Sequence, residues 1–263
     1  MIQFVAADMD GTLLNSKKEL SPELVPVIHK LFDKGVRFAI ASGRQYHNLV
    51  HLFKDLADEL IFIAENGALV YDRGKKIIVH SMNPGLLQSL LKKIRQIPSA
   101  HLILCGENAA YAESTDPVFL ENARMYYKRF EQVADLSSCL SKDQICNLAV
   151  FDTRDAEHNC YAELLPFQEQ VQVVLSGAHW VDLMNLNVNK GEAIREIQSL
   201  YKISPDDCMS FGDYLNDYEM MLACTQSWAM ANAHPKLKEA ARFEAPSNDE
   251  DGVVKVLKKT FGI

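Results

Sequence analysis

Near its start the chain reads Ile2-Gln3-Phe4-Val5-Ala6-Ala7 and then Asp8-Met9-Asp10-Gly11-Thr12-Leu13. The first six residues are a short, β-prone apolar run, which predicts a strand, and the two acids mark where that strand leaves the sheet. Working outward, residues 22–34 predict a helix. Ser21 can cap it, Leu24, Val27, Ile28 and Leu31 fall on one face, and Gly35 stops it. Residues 36–41 form a second continuous apolar run, followed by Ser42-Gly43-Arg44 and a helical stretch over 48–56; residues 60–64 predict a third strand. Strands that are apolar throughout, alternating with helices, call for a parallel sheet covered on both faces.

The rhythm then changes. Residues 68–71 and 77–79 flank Asp72-Arg73-Gly74 and read as a hairpin. After Asn83-Pro84 comes a mixed region, with strands near Leu102, Tyr111, Leu148, Val173 and Val181 and helices over 86–97 and 156–167. From about Lys190 the first pattern resumes, with a helix over 191–201, a strand over 208–211, a helix over 216–223, a strand over 227–230 and helices over 235–241 and 252–261. The expectation is an α/β fold: a Rossmann-like parallel-sheet core built from residues 1–83 and 187–263, with an α+β domain inserted over 84–186.

Composition narrows the function classes. Of 263 residues, 48% are hydrophobic and 24% charged, enough apolar material for a packed core. Lys plus Arg number 27 against 35 Asp plus Glu, a formal net charge of −8 that argues against a nucleic-acid partner. No apolar run reaches the roughly 18 residues of a membrane span, and no basic, then apolar, leader opens the chain. The six cysteines, Cys105, Cys139, Cys146, Cys160, Cys208 and Cys224, form no Cys-x-x-Cys pair, so reduced, mostly buried thiols and a cytoplasmic location are expected.

Four elements carry chemistry. Asp8 and Asp10 at a strand end repel each other unless a positive group lies between them, and a hard cation with oxygen ligands such as Mg²⁺ is the natural partner; the plainer reading is an Asp-rich turn. Ser42, leading into a helix, could donate to a phosphate oxygen or merely cap the helix. Lys190 opens a helix, where a cation opposes the helix dipole, unless it is an ordinary surface Lys. Asp213 and Asp217, four apart in Gly212-Asp213-Tyr214-Leu215-Asn216-Asp217, share a helical face and suit either capping or a metal site shared with the first two acids.

Taken together, in their order and at their strand ends, these elements resemble the haloacid dehalogenase-like (HAD) hydrolase superfamily. The inserted domain, Glu65-Asn66-Gly67-Ala68 and Met230-Ala231-Asn232-Ala233 are similar to its Cof-type sugar phosphatases. The resemblance implies a Mg²⁺-dependent phosphatase of small phosphorylated metabolites, sugar phosphates foremost. It implies Asp8 as nucleophile, Asp10 as acid and then base, and Ser42 and Lys190 as phosphoryl anchors. It places Gly43, Arg44, Asn66 and Asn216 at the substrate. The implied metal set is Asp8, Asp213, the backbone carbonyl of Asp10, and Asp217 in support. Tyr214, Ala231 and Asp182 depart from the subgroup's usual residues without removing a catalytic group. A phosphosugar mutase and a non-catalytic phospho-ligand sensor remain the alternatives, and a monomer or weak homo-oligomer is expected.

The insertion also holds polar and aromatic residues, Glu113, Asp116, Arg124, Tyr126, Tyr127, His179 and Trp180, read as mostly surface or packing groups. Tyr126-Tyr127-Lys128-Arg129 reads as a helix end, and His47 and His51 as the solvated face of a helix.

Overall fold

The computed structural model describes residues 1–263. The chain opens with β1 (Phe4–Asp8), α1 (Leu24–Asp33), β2 (Arg37–Ala41), α2 (Tyr46–Leu52), β3 (Ile61–Ala64), β4 (Leu69–Asp72) and β5 (Lys75–Val79). It continues through α3 (Pro84–Ile94), β6 (Ala100–Gly106), β7 (Ala110–Ala112), α4 (Pro117–Tyr126), β8 (Phe130–Gln132), β9 (Ile145–Asp152), α5 (Ala162–Leu164), β10 (Val171–Gly177) and β11 (Trp180–Asn185). It closes with α6 (Lys190–Tyr201), β12 (Cys208–Gly212), α7 (Tyr218–Ala223), β13 (Gln226–Met230), α8 (Pro235–Ala240), β14 (Phe243–Ala245) and α9 (Gly252–Phe261). No helix is long and apolar enough to cross a membrane.

These elements form two compact units, a first of Met1–Gly43, Phe53–Ile78 and Asn189–Ile263 and a second of Arg44–Leu52 and Val79–Val188. The sequence pattern predicts residues 44–52 as part of the parallel-sheet core. They group with the second unit, where Gln45 and Asn48 bond to the backbone of the segment after α4. Gln45 exchanges two 3.1 Å bonds with the backbone of Arg129, and Asn48 accepts from Lys128 N at 2.8 Å and donates to Tyr126 O.

In the first unit the sheet order is β14-β13-β12-β1-β2-β3-β4-β5. Pairing is parallel from β14 to β3 and turns antiparallel at β4. Every residue of β1 is buried, as its unbroken apolar run requires. Helix α1 buries Leu24, Val27, Ile28 and Leu31, the stripe read from the sequence, and each such side chain contributes about 1.5–3 kcal/mol of burial. The register places Asp8 beside Ala41 and Ala7 beside Phe211. Strand-end residues distant in sequence, Asp8, Ser42 and Gly212, therefore line up along one edge at the roughly 4.8 Å spacing of neighbouring strands.

The second unit is an α+β sheet ordered β10-β11-β9-β6-β7-β8, antiparallel except for the parallel pair β7 and β8. One core packs Leu87, Leu90, Leu91 and Ile94 of α3 with Leu104, Leu148, Val150, Val181 and Leu183. Another packs Phe119 and Ala123 of α4 against Ile103, Cys105, Ala149 and Phe151. Asp116 caps α4 by accepting from Phe119 N. That helix buries only Phe119 and Ala123, so it left little periodic signal in the sequence. It ends at Tyr126, which puts Lys128 and Arg129 beyond it.

The six cysteines are all buried and unbridged. His47 is not a solvated helix face. It is half-buried, its Nε2 stands 3.4 Å from an Arg129 Nη, and burial and then the Arg129 charge push its pKa down.

Candidate active site

Gly11 is the hinge on which the first acidic loop turns. Its φ is +86°, and a Cβ there would stand 2.3 Å from Asp213 Oδ2, so no side chain fits. The turn brings Thr12 under the fourth element, where its hydroxyl donates to Asp213 Oδ1 at 3.0 Å. Asn232 then holds the loop from the other side, donating to Gly11 O at 2.8 Å.

Lys190 reaches the same place from α6. Asn189 caps that helix by accepting from Glu192 N. Gly191 lets α6 approach α7, since a Cβ on it would lie 2.3 Å from Glu219 O. The ammonium is fully buried and donates to Asp8 Oδ1 at 2.6 Å and Asp217 Oδ1 at 2.7 Å. Asp217, itself fully buried, accepts from Asp213 N and Tyr214 N through its other oxygen. Carboxylate oxygens of Asp8, Asp213 and Asp217 all lie within 4.8 Å of one another.

Three carboxylates thus cluster beside one ammonium that is bonded to two of them. Burial, then the charge of Asp217, raises the pKa of Asp8 well above its ordinary value, although Lys190 pulls it down. Asp213 rises to about 6, again through burial first and Asp217 second. Burial opposes the charge on Lys190, but the pull of Asp217 and Asp8 wins and its pKa rises. The carboxylates outnumber the charge available to them, and an all-oxygen donor set of this kind fits a hard divalent cation. Asp8, Asp213 and Asp217 would hold it.

Asp10 stands apart from this cluster. Its carboxylate is 37% exposed and accepts from Lys18 Nζ at 3.0 Å. Ser42 is buried at the end of β2, its N–H donating to Ile63 O and its carbonyl accepting from Asn66 N. Glu65 and Asn66 both hold positive φ, +48° and +53°, unusual for residues other than glycine. This turn presents Asn66 Oδ1 to Asn216 Nδ2 at 3.2 Å. Gly43 is exposed beside Asn66. Arg44, read as a substrate residue, lies half-buried in the second unit. The Tyr214 side chain is exposed and edge-on to His234 at 5.8 Å, so Tyr214 touches the carboxylates only through its backbone N–H on Asp217.

Thr12, Lys18 and Asn232 were not singled out by the sequence as site residues. Thr12 and Asn232 lie inside motifs that were, whereas Lys18 sits in the polar run Asn15-Ser16-Lys17-Lys18-Glu19, where nothing distinguishes one Lys from the other.

A family model described as haloacid dehalogenase-like hydrolase matches residues 5–257. The chain belongs to that family. It is 30% identical to the 5-amino-6-(5-phospho-D-ribitylamino)uracil phosphatase YbjI of Escherichia coli strain K12, over 99% of this chain and 96% of that protein. It is 27% identical to the Bacillus subtilis strain 168 phosphatase of the same description, YwtE, over 95% and 94%. Among solved structures, TM0651 from Thermotoga maritima superposes with a TM-score of 0.88 at 26% identity, over 98% of this chain and 97% of that one. With these relatives the chain is an enzyme of the phosphoric monoester hydrolase class.

Proposed function

We propose that the protein is a Mg²⁺-dependent phosphatase of small sugar or sugar-alcohol phosphates that works through a phosphorylated Asp8. One contact supports this reading more than any other: the buried Lys190 ammonium bridging Asp8 and Asp217 within a cluster of three carboxylates. The substrate class draws on the family resemblance and on the two relatives whose named substrate carries phosphate on a ribityl chain.

Uncatalysed phosphate-monoester hydrolysis is among the slowest of reactions, and its barrier falls chiefly through positioning and charge stabilisation. Mg²⁺, when bound, neutralises phosphoryl charge and lets a dianion approach a carboxylate. Lys190 and Ser42 hold phosphoryl oxygens, and Lys190 also fixes the Asp8 carboxylate in place. Asp8 attacks phosphorus; its O–P bond forms as the ester P–O bond breaks, and Asp10 gives its proton to the leaving alkoxide. Water then attacks the phosphorus of the aspartyl phosphate while Asp10 takes back a proton. Phosphate leaves and Asp8 is regenerated, so ester and water have become alcohol and phosphate.

The test is phosphate release from a panel of sugar, sugar-alcohol and nucleotide monophosphates, with Mg²⁺ or with EDTA, for the wild type and the Asp8→Asn and Asp10→Asn variants. Mg²⁺-dependent release without a bisphosphate activator, lost in both variants, is the expected result and argues against a mutase. No release from any substrate by folded, Mg²⁺-supplied protein would overturn the reading and favour a ligand sensor.

A further inference from the structure

We propose that Lys18 is a positioning residue that aims the Asp10 carboxylate. This rests on the reading of Asp10 as the acid and base of the reaction.

The argument starts with a backbone that is costly for a lysine. Lys18 has a φ of +62°, in the left-handed region that disfavours most side chains and that glycine or asparagine adopts more readily. The surrounding loop imposes that conformation. Asn15 Oδ1 accepts from Lys17 N at 2.9 Å and Glu19 N at 3.0 Å, Asn15 N donates to Glu19 O, and Lys18 N donates to Asn15 O. Bridges from Asp10 to Leu14 and from Leu14 to Leu20 fold the loop back on the end of β1. The far side is anchored as well: Ser16 donates through N and Oγ to Asp249, and Asn248 Nδ2 donates to Leu14 O at 2.9 Å. A tethered, strained turn therefore carries Lys18 to Asp10, and its Nζ meets Asp10 Oδ1 at 3.0 Å. Strain maintained beside reacting groups by an over-determined loop is the pattern of a functional device.

The contact suits what Asp10 has to do. A carboxyl that first protonates a leaving oxygen and then takes a proton from water must point at the same place in both steps. Asp10 is 37% exposed, and the Lys18 side chain, 66% exposed, is one of the groups that hold it. An ammonium on one of its oxygens restricts its rotation. Lys18 itself touches none of the three clustered carboxylates; its only ion-pair partner is Asp10.

The experiment compares wild type, Lys18→Met, Lys18→Gly, Lys18→Arg and Asp10→Asn on an alkyl phosphate and on p-nitrophenyl phosphate, whose leaving group needs little proton donation. Lys18→Met should lower kcat for the alkyl ester roughly 3- to 10-fold, with KM changed less than about twofold and a smaller loss on the aryl ester. Lys18→Gly relieves the left-handed strain, so it should melt no lower than Lys18→Met and still show the same kcat loss. Lys18→Arg should recover most of the activity. An unchanged kcat, a loss confined to KM, an equal loss on both esters, or a Lys18→Gly enzyme with full kcat would each overturn the proposal while wild type and Asp10→Asn behave as the phosphatase reading requires. If Asp10→Asn keeps full turnover, the reading of Asp10 fails, and this proposal with it.

Discussion

Lys190 in the first unit and Arg95 in the second each bridge two carboxylates. Arg95 grips Glu113 through two nitrogens at 2.7 and 2.5 Å and reaches Asp135 at 2.6 Å. Lys190 holds Asp8 and Asp217 at similar distances. The consequences are opposite. Arg95 lowers the pKa of Glu113, and Asp135 falls to about 2 through the Ser137 N–H first and Arg95 next. Around Lys190, Asp8 and Asp213 rise. Exposure makes the difference. Water shares the charge of the Arg95 cluster, whose cation is 40% exposed, whereas Lys190 is wholly enclosed and a third carboxylate joins its pair. The surface cluster is satisfied as it stands, and the buried one is left with negative charge that invites a cation.

The largest effect that would sharpen this comparison belongs to Asp8. Asp8→Asn should cut turnover by at least about 10³-fold, yet the metal-free variant should melt no lower than wild type, because a charge that burial disfavours has gone. A clear loss of stability would show Asp8 to be well compensated and break the contrast with the surface cluster.

Removing each cation comes next. Lys190→Met should cost about 3–5 kcal/mol of folding free energy, since it strands buried carboxylates, whereas Arg95→Met should cost less than about 1 kcal/mol. Urea unfolding of both variants checks this, and equal costs would erase the distinction. Gly11→Ala should follow, losing about 1–3 kcal/mol and most of the activity, because it combines a disfavoured φ with the 2.3 Å approach to Asp213.

The smallest effects are in the pH dependence, where the signs oppose. The folded-state pKa of Asp213, about 6, lies above its ordinary 3.8. Its contribution is complete below about pH 4 and is lost as pH rises through about 6, a change on the order of 3 kcal/mol. The pKa of Glu113 lies below its ordinary 4.5, so its contribution is present above that pH and lost as pH falls through the lower folded-state value. Melting curves of metal-free wild type, Asp213→Asn and Glu113→Gln from about pH 3 to pH 7 should show each variant removing one limb. If both variants changed the same limb, the comparison would fail.

Much of this was legible in the sequence because continuous apolar strands and the i, i+3, i+4 stripe of α1 are strong periodic signals. The acids at strand ends were legible too, since the parallel register turns sequence motifs into one edge. Strands β8 and β14 were not, because each is three residues long and mostly exposed, so no apolar run marks it, whereas the equally short β7 is wholly buried. Helix α4 buries one large side chain and hid for that reason. The grouping of residues 44–52 with the second unit goes with side-chain bonds from Gln45 and Asn48 to a backbone about 80 positions away, and no local pattern encodes those. At the site, Asp8, Lys190, Asp213 and Asp217 could be read as a set, but the contact of Lys18 with Asp10 arises from a loop closed by Asn15 and looks like surface charge in the sequence.

The most direct measurement is calorimetric titration of Mg²⁺ into the metal-free wild type and the Asp213→Asn variant at neutral pH. The account expects one Mg²⁺ per wild-type chain, with binding at least about 100-fold weaker in the variant. A wild type that takes up no Mg²⁺, or a variant that binds it equally well, would contradict the claim that the buried carboxylates around Lys190 are charged in excess in order to hold a cation.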